Sequence, residues 1–124
     1  SGIKTEHSSY GLPNELQQVF LVILNNAIDI LVSKKISNPK ITIDIEQVDG
    51  CSVIKIKDNA GGMSTEIQEK IFEPYYTTKH KSQGTGLGLY ISKIIVEDSL
   101  GGTLKVQTNA TGACFIIKLK VSHE

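Results

Sequence analysis

The sequence contains no arginine. All thirteen of its basic residues are lysine, and thirteen acidic residues bring the formal net charge to zero. A neutral chain lacks the long-range positive field on which nucleic-acid binding depends. Any cation it sets against an anionic ligand is a lysine, a metal ion or a partner's side chain, never a guanidinium fork of its own. Cysteine is scarce too: only Cys51 and Cys114 occur, each inside an apolar, strand-like run. They lack metal-ligand spacing and are too few for a disulfide scaffold, so two reduced thiols in a cytoplasmic core are expected. There is no uninterrupted apolar run of 18 residues and no secretory leader, so the segment is expected neither to cross nor to enter a membrane. Internal repeats and low-complexity tracts are absent as well.

What is present is an ordinary globular composition, 40% hydrophobic and 21% charged. A length of 124 residues suffices for one core. Residues 1–124 read as a single domain, and the strand-like start from Ile3 to His7 reads as an excision from a longer protein. Leu12-Pro13-Asn14-Glu15 predicts a helix start. From there Leu16, Val19, Phe20, Ile23, Leu24, Ala27 and Leu31 recur at helical spacing, up to a stop at Asn38-Pro39. Ile41, Ile43 and Ile45, then Val53, Ile54 and Ile56, flank Asp49-Gly50 as a hairpin. Ser64 to Phe72 predicts a short helix with Ser64 as N-cap and Ile67 and Ile71 facing inward. A further helix runs from Gly86 to Ser99, ended by Gly101-Gly102, and a second hairpin joins Thr103–Thr108 to Ala113–Val121. This order predicts an α/β (α+β) two-layer sandwich, with a mixed, mostly antiparallel five-stranded sheet and about three helices on one face.

Four segments carry residues suited to chemistry. Asn26 lies at the edge of the first helix's apolar stripe, and Val22, Asn26 and Asp29 share one flank at i, i+4 and i+7. A carboxamide there can reach a cleft beside the core, although on its own it is equally a helix-packing amide. Asp58-Asn-Ala-Gly-Gly62 opens a glycine-rich turn at a strand end, where an aspartate also commonly forms an Asx-turn. Glu73 to Gln83 is a short polar loop with Lys79 and Lys81, held by Phe72 at its stem. Gly84-Thr-Gly-Leu-Gly-Leu89 is a glycine loop entering a helix, a natural site for an anion. It is no Rossmann fingerprint, since no strand directly precedes it, and it lacks the P-loop's Gly-Lys-Ser/Thr.

In this order, within about 65 residues, the segments resemble the N, G1, F and G2 boxes of the catalytic and ATP-binding domain of two-component sensor histidine kinases, the Bergerat or GHKL fold. The run from Ile71 to Lys79, followed so closely by Gly84 to Leu89, is the most specific part. The resemblance implies ATP and Mg²⁺ as cofactors. Asn26 would ligate the metal, and Asp58 would accept from the adenine amino group, which favours adenine over guanine. Asp29, Ile30, Ala60, Gly62, Met63, Thr77, Thr78, Lys79, Gly84, Thr85, Gly86, Leu87, Gly88 and Leu89 would complete the nucleotide site, with Lys79 as the candidate phosphate contact. The loop between Phe72 and Gly84 would be a lid. His7, His80 and His123 lack the context of the family's phospho-acceptor. The acceptor is therefore expected on a separate dimerisation domain, of the same or a sister protomer, which then serves a response regulator. No nucleic acid is implied, the isolated domain is expected to be a monomer, and any membrane anchor would belong to the parent protein.

Three positions depart from the resembling pattern. ATPases of this fold place a glutamate one turn before the metal-binding asparagine to activate water, and histidine kinases often carry a second asparagine there. Here the residue is Val22, which cannot accept a proton. Ala60 replaces the first glycine of Asp-x-Gly-x-Gly, and Asp29 stands where many relatives carry lysine or arginine. The alternatives are a nucleotide-sensing module without transfer, a hydrolytic ATPase, and a serine kinase of the anti-sigma type. Val22 weighs against the last two.

Overall fold

The computed structural model describes residues 14–76 and 86–120. Helix α1 spans Asn14–Ser33, and its one apolar stripe buries Leu16, Val19, Ile23, Ala27 and Leu31, the predicted positions. It stops before Asn38-Pro39, where the sequence placed the break. Lys35 turns left-handed at φ 54° and the Ile36 N–H donates to the Leu31 carbonyl, closing the helix end without a proline. By length and composition α1 could cross a membrane. Its stripe is instead seated on the sheet, which makes it the core helix of this domain.

Strands β1 (Ile41–Val48) and β2 (Cys51–Asp58) form the predicted hairpin. Asp49 and Gly50 both take positive φ, the two-residue turn whose twist matches the flanking strands. Helix α2 is Thr65–Lys70, and Ser64 caps it by accepting from the Ile67 N–H at 3.2 Å. Helix α3 is Gly88–Ile94 and runs on through a wider turn, Ile95–Ser99, closed by Leu100 N–H on the Ile95 carbonyl. Strands β3 (Thr103–Thr108) and β4 (Ala113–Lys120) complete the order β1-β2-β4-β3, with antiparallel pairing throughout.

Four strands are thus present among the described residues where five were expected, and none is parallel. The fifth would be Ile3 to His7, outside those residues. Register puts Ile54 and Ile56 of β2, Leu104 of β3, and Phe115 and Ile117 of β4 on one face, and these meet Leu16, Val19, Ile23 and Val96 in one core. The α+β two-layer reading therefore holds, with three helices among the described residues over one sheet face. Phe72 packs edge-on against Phe115, ring centres 6.1 Å apart, so the stem of the Glu73–Gln83 loop is anchored in the core. Lys93 sits 4.9 Å over the same ring, and its ammonium bonds Glu97 at 3.1 Å and the Leu104 carbonyl at 3.0 Å. Helix α3, strand β3 and the Phe72 stem are thereby tied at one point.

Candidate functional site

The C-terminal end of β2 hands the chain to the Asp58–Gly62 loop, and three sets of bonds fix that loop. Asp58 Oδ1 accepts the N–H groups of Ala60 (3.0 Å) and of Ala113 at the start of β4 (3.3 Å). Asn59 clamps the segment after α1, accepting from the Lys40 N–H at 2.9 Å and donating to the Asn38 carbonyl at 2.7 Å. The Gly61 N–H donates to the Thr111 carbonyl, and the Met63 N–H to Thr108 Oγ1 at 2.8 Å. Two glycines are required by close approach. Gly62 has φ +81° and a Cβ there would overlap Asn109, while a Cβ on Gly112 would overlap the Asp58 carbonyl. Ala60, at the position of the absent first glycine, is buried and needs no positive φ.

This loop forms one wall of a cavity of about 350 Å³ between α1 and α2, within the range of small-molecule sites. It brings together Asn26 and Ile30 of α1 with Asp58, Ala60, Gly62 and Met63, six of the residues singled out in the sequence. The apolar part of the lining is Ile30, Ala60, Met63, Ile67, Ile71 and Ala113. An apolar slot with a carboxylate at one end and a carboxamide on its flank suits a flat heterocycle carrying an exocyclic donor. Asp58 Oδ2 takes no bond described among these residues, which leaves it for such a donor.

Other predicted positions fall elsewhere. Asp29 is exposed and outside this lining. Gly86, Leu87, Gly88 and Leu89 open α3 on the far side of Asn26. Gly86 is held by Tyr75 N–H on its carbonyl at 2.7 Å, and Leu89 packs on the core. Gly88 lies so close to Val22 that a Cβ would come within 3.1 Å of its methyl. Val22 is therefore a packing residue between α1 and α3, one turn before Asn26. Thr77, Thr78, Lys79, Gly84 and Thr85 lie outside the described residues, as do His7, His80 and His123.

Sequence reasoning missed Ser33, Lys34, Ser64 and Ala113 as cavity walls and placed Ile67 and Ile71 simply on an inner face. Lys34 carried a legible signal: it follows Ile30 by four residues and Asn26 by eight. Its Nζ donates to the Ala60 carbonyl at 2.9 Å. A second hollow, on the open face of the sheet, is polar and lined by Lys55, Lys57, Gln107 and Cys114. Burial pushes the Cys114 thiol up, against the opposing pull of Lys57 and Lys55, and both cysteines are free.

Comparison with known proteins agrees with this geometry. The model of the family described as "Histidine kinase-, DNA gyrase B-, and HSP90-like ATPase" matches residues 11–123. The two-component sensor PprA of Pseudomonas aeruginosa is 35% identical over 119 residues, 90% of this chain and 12% of that protein. Sporulation kinase E of Bacillus subtilis is 37% identical over 113 residues, 90% of this chain and 14% of its own length. The chain thus spans under a sixth of these two curated relatives. Among solved structures, the nucleotide-free catalytic domain of histidine kinase ThkA superposes with a TM-score of 0.73 at 33% identity, covering 86% of this chain and 66% of that one. With its sequence matched almost end to end, its α+β sandwich shared and its cavity bounded by the first two boxes, the chain belongs to the histidine kinase-, DNA gyrase B- and HSP90-like ATPase family and carries a catalytic domain of the histidine kinase kind.

Proposed function

We propose that this chain binds ATP with Mg²⁺ and donates the γ-phosphoryl group to a histidine on a separate dimerisation and phosphoacceptor domain, of its own protein or of a sister protomer. From that histidine the group would pass to a response regulator. On this reading residues 1–124 are the cytoplasmic catalytic module of a larger sensor, which accords with the small share of each curated relative that they span.

The observation that carries the reading is the arrangement of Asp58, Asn26 and Val22. Asp58 marks the base end of the cavity, and Asn26 stands on its flank toward α3. One turn beyond is Val22, packed by Gly88. No group at that position can take a proton from water, so the site is built to position phosphates for a nucleophile brought from outside. Among the described residues no three His, Cys, Asp or Glu side chains gather as a metal cage. That donor set fits Mg²⁺ carried on the nucleotide's phosphates, with the Asn26 carboxamide oxygen as the protein ligand and water completing the shell. Bound there, the ion would supply charge neutralisation. Helix α3 leaves Ile91 and Ile94 exposed (47% and 40%), one and two turns past Gly88, an apolar strip on which the acceptor domain would seat.

The test is calorimetric titration with a non-hydrolysable ATP analogue, with Mg²⁺, with EDTA and with the matching GTP analogue, followed by transfer from labelled ATP to a supplied acceptor domain. Mg²⁺-dependent binding of the adenine nucleotide alone, followed by transfer, is expected. Adenine binding without transfer to any acceptor would instead favour a nucleotide-sensing module, and no binding at all would reject the site.

A further inference from the structure

Helix α1 lines the cavity lengthwise with three residues on successive turns, Asn26, Ile30 and Lys34. The Lys34 N–H still donates to the Ile30 carbonyl, so the helical rise extends to it. Eight residues of helix separate Asn26 from Lys34 by about 12 Å. If Asn26 serves the phosphate end and Ile30 the face of the base, Lys34 stands beyond the base, at the edge opposite its sugar. The residue's stem is exposed, but its ammonium is folded onto the Ala60 carbonyl at 2.9 Å. The other end of the same residue, the Ala60 N–H, donates to Asp58 Oδ1 at 3.0 Å. The carboxylate and the ammonium therefore flank one residue on one cavity wall, an acceptor beside a donor.

That pair matches one purine edge. Adenine presents a donor, its 6-amino group, next to an acceptor, N1; guanine presents the reverse, a carbonyl oxygen next to an N1–H. An ammonium has three donors, and Ala60 uses one. We propose that Lys34 is a specificity-determining residue of this site, donating from its ammonium to N1 of the adenine while Asp58 accepts from the 6-amino group. The proposal rests on the adenine reading of the cavity. It makes base selection a two-point readout in which guanine meets both groups with the wrong polarity.

The experiment compares ATP, 1-deaza-ATP and 7-deaza-ATP on the wild-type chain and on Lys34→Met and Lys34→Arg, by calorimetry, with melting temperature as the measure of folding. Wild type is expected to bind 1-deaza-ATP on the order of ten-fold more weakly than ATP, the loss of one charge-assisted hydrogen bond. In Lys34→Met the two nucleotides should bind equally, and Lys34→Arg should restore part of the discrimination. If wild type binds 1-deaza-ATP as well as ATP, Lys34 does not read N1, whatever the variants do. Lys34→Met weakening both nucleotides alike, with the ten-fold ratio kept, would mean that the lysine only holds the Ala60 loop. A penalty on 7-deaza-ATP that disappears in Lys34→Met would place the ammonium at the wrong edge and also overturn the proposal. Wild type binding none of the three would instead reject the adenine cavity itself, an outcome distinct from ATP binding without dependence on N1.

Discussion

Replacing Asp58 by asparagine separates the two jobs given to one side chain. Oδ1 holds the loop through the Ala60 and Ala113 N–H groups at 3.0 and 3.3 Å, and an amide oxygen can accept the same two bonds. The fold then loses only the charge assistance of those bonds, about 1 kcal/mol, or a melting temperature roughly 4 °C lower in a domain of this size. The second position changes from acceptor to donor. Adenine's amino group loses a bond to a charged acceptor worth about 1.5–3 kcal/mol and meets an N–H₂ instead, which adds about 1 kcal/mol or more of unsatisfied donor. A total near 3 kcal/mol corresponds to roughly 150-fold weaker ATP binding. Guanine, with a carbonyl oxygen at that place, gains a partner, so the ATP-to-GTP affinity ratio should fall toward one. Calorimetry with both analogues on wild type and Asp58→Asn measures this directly. A variant that melts about 4 °C lower yet binds ATP with wild-type affinity would show Asp58 to be a loop clamp only, and the adenine assignment would fall.

Other expectations follow from the same geometry. Asn26→Ala should remove the Mg²⁺ dependence of nucleotide binding while leaving affinity in EDTA unchanged; tighter binding with Mg²⁺ in that variant would place the metal ligand elsewhere. Gly62→Ala forces a Cβ onto Asn109 at a positive φ, and should cost about 2 kcal/mol or more in chemical denaturation. Ile91→Asp should lower phosphoryl transfer to a supplied acceptor roughly ten-fold with ATP affinity unchanged, as the loss of one exposed apolar contact at an interface, and equal transfer would remove α3 from the docking surface. Burial would raise the Glu97 carboxyl, but the Lys93 hydrogen bond, the Leu104 N–H and the charges of Lys93 and Lys105 outweigh it and hold the group below its ordinary 4.5. A depressed carboxylate contributes stability that is full above 4.5 and lost as pH falls through the lower folded value. Glu97→Gln should therefore flatten the acid limb of a stability-against-pH curve below about 4.5, and cost no more than about 1 kcal/mol at neutral pH because the pair is partly exposed.

The elements that were legible in the sequence are those whose pattern is local. The stripe of α1, the Asp49-Gly50 turn and the Ser64 cap each follow from a few neighbouring residues, and each is where the pattern put it. The end of α1 was misplaced because Asn38-Pro39 is a loud stop signal, whereas a left-handed Lys35 is silent in composition. The cavity was half legible: Asn26, Asp58, Ala60, Gly62 and Met63 belong to motifs and Lys34 keeps helical step with Asn26, but Ala113 enters only through a pairing across 55 residues. Ile67 and Ile71 show a subtler limit. Periodicity tells which side of a helix is apolar, but not whether that side meets the core or a ligand-sized space.

The pair of hydrogen bonds accepted by Asp58 Oδ1 bears on how relatives of this chain would decay. A descendant released from any need to bind nucleotide would still depend on that oxygen to join the β2 end to β4, so purifying pressure on the position would outlast the activity. The Asn26 side chain, which makes no hydrogen bond among the described residues, has no such second employer. In a set of drifting paralogues the asparagine should vanish first and the aspartate last. Loss at position 26 would then be the earlier mark of a retired enzyme, and an intact Asp58 would say little.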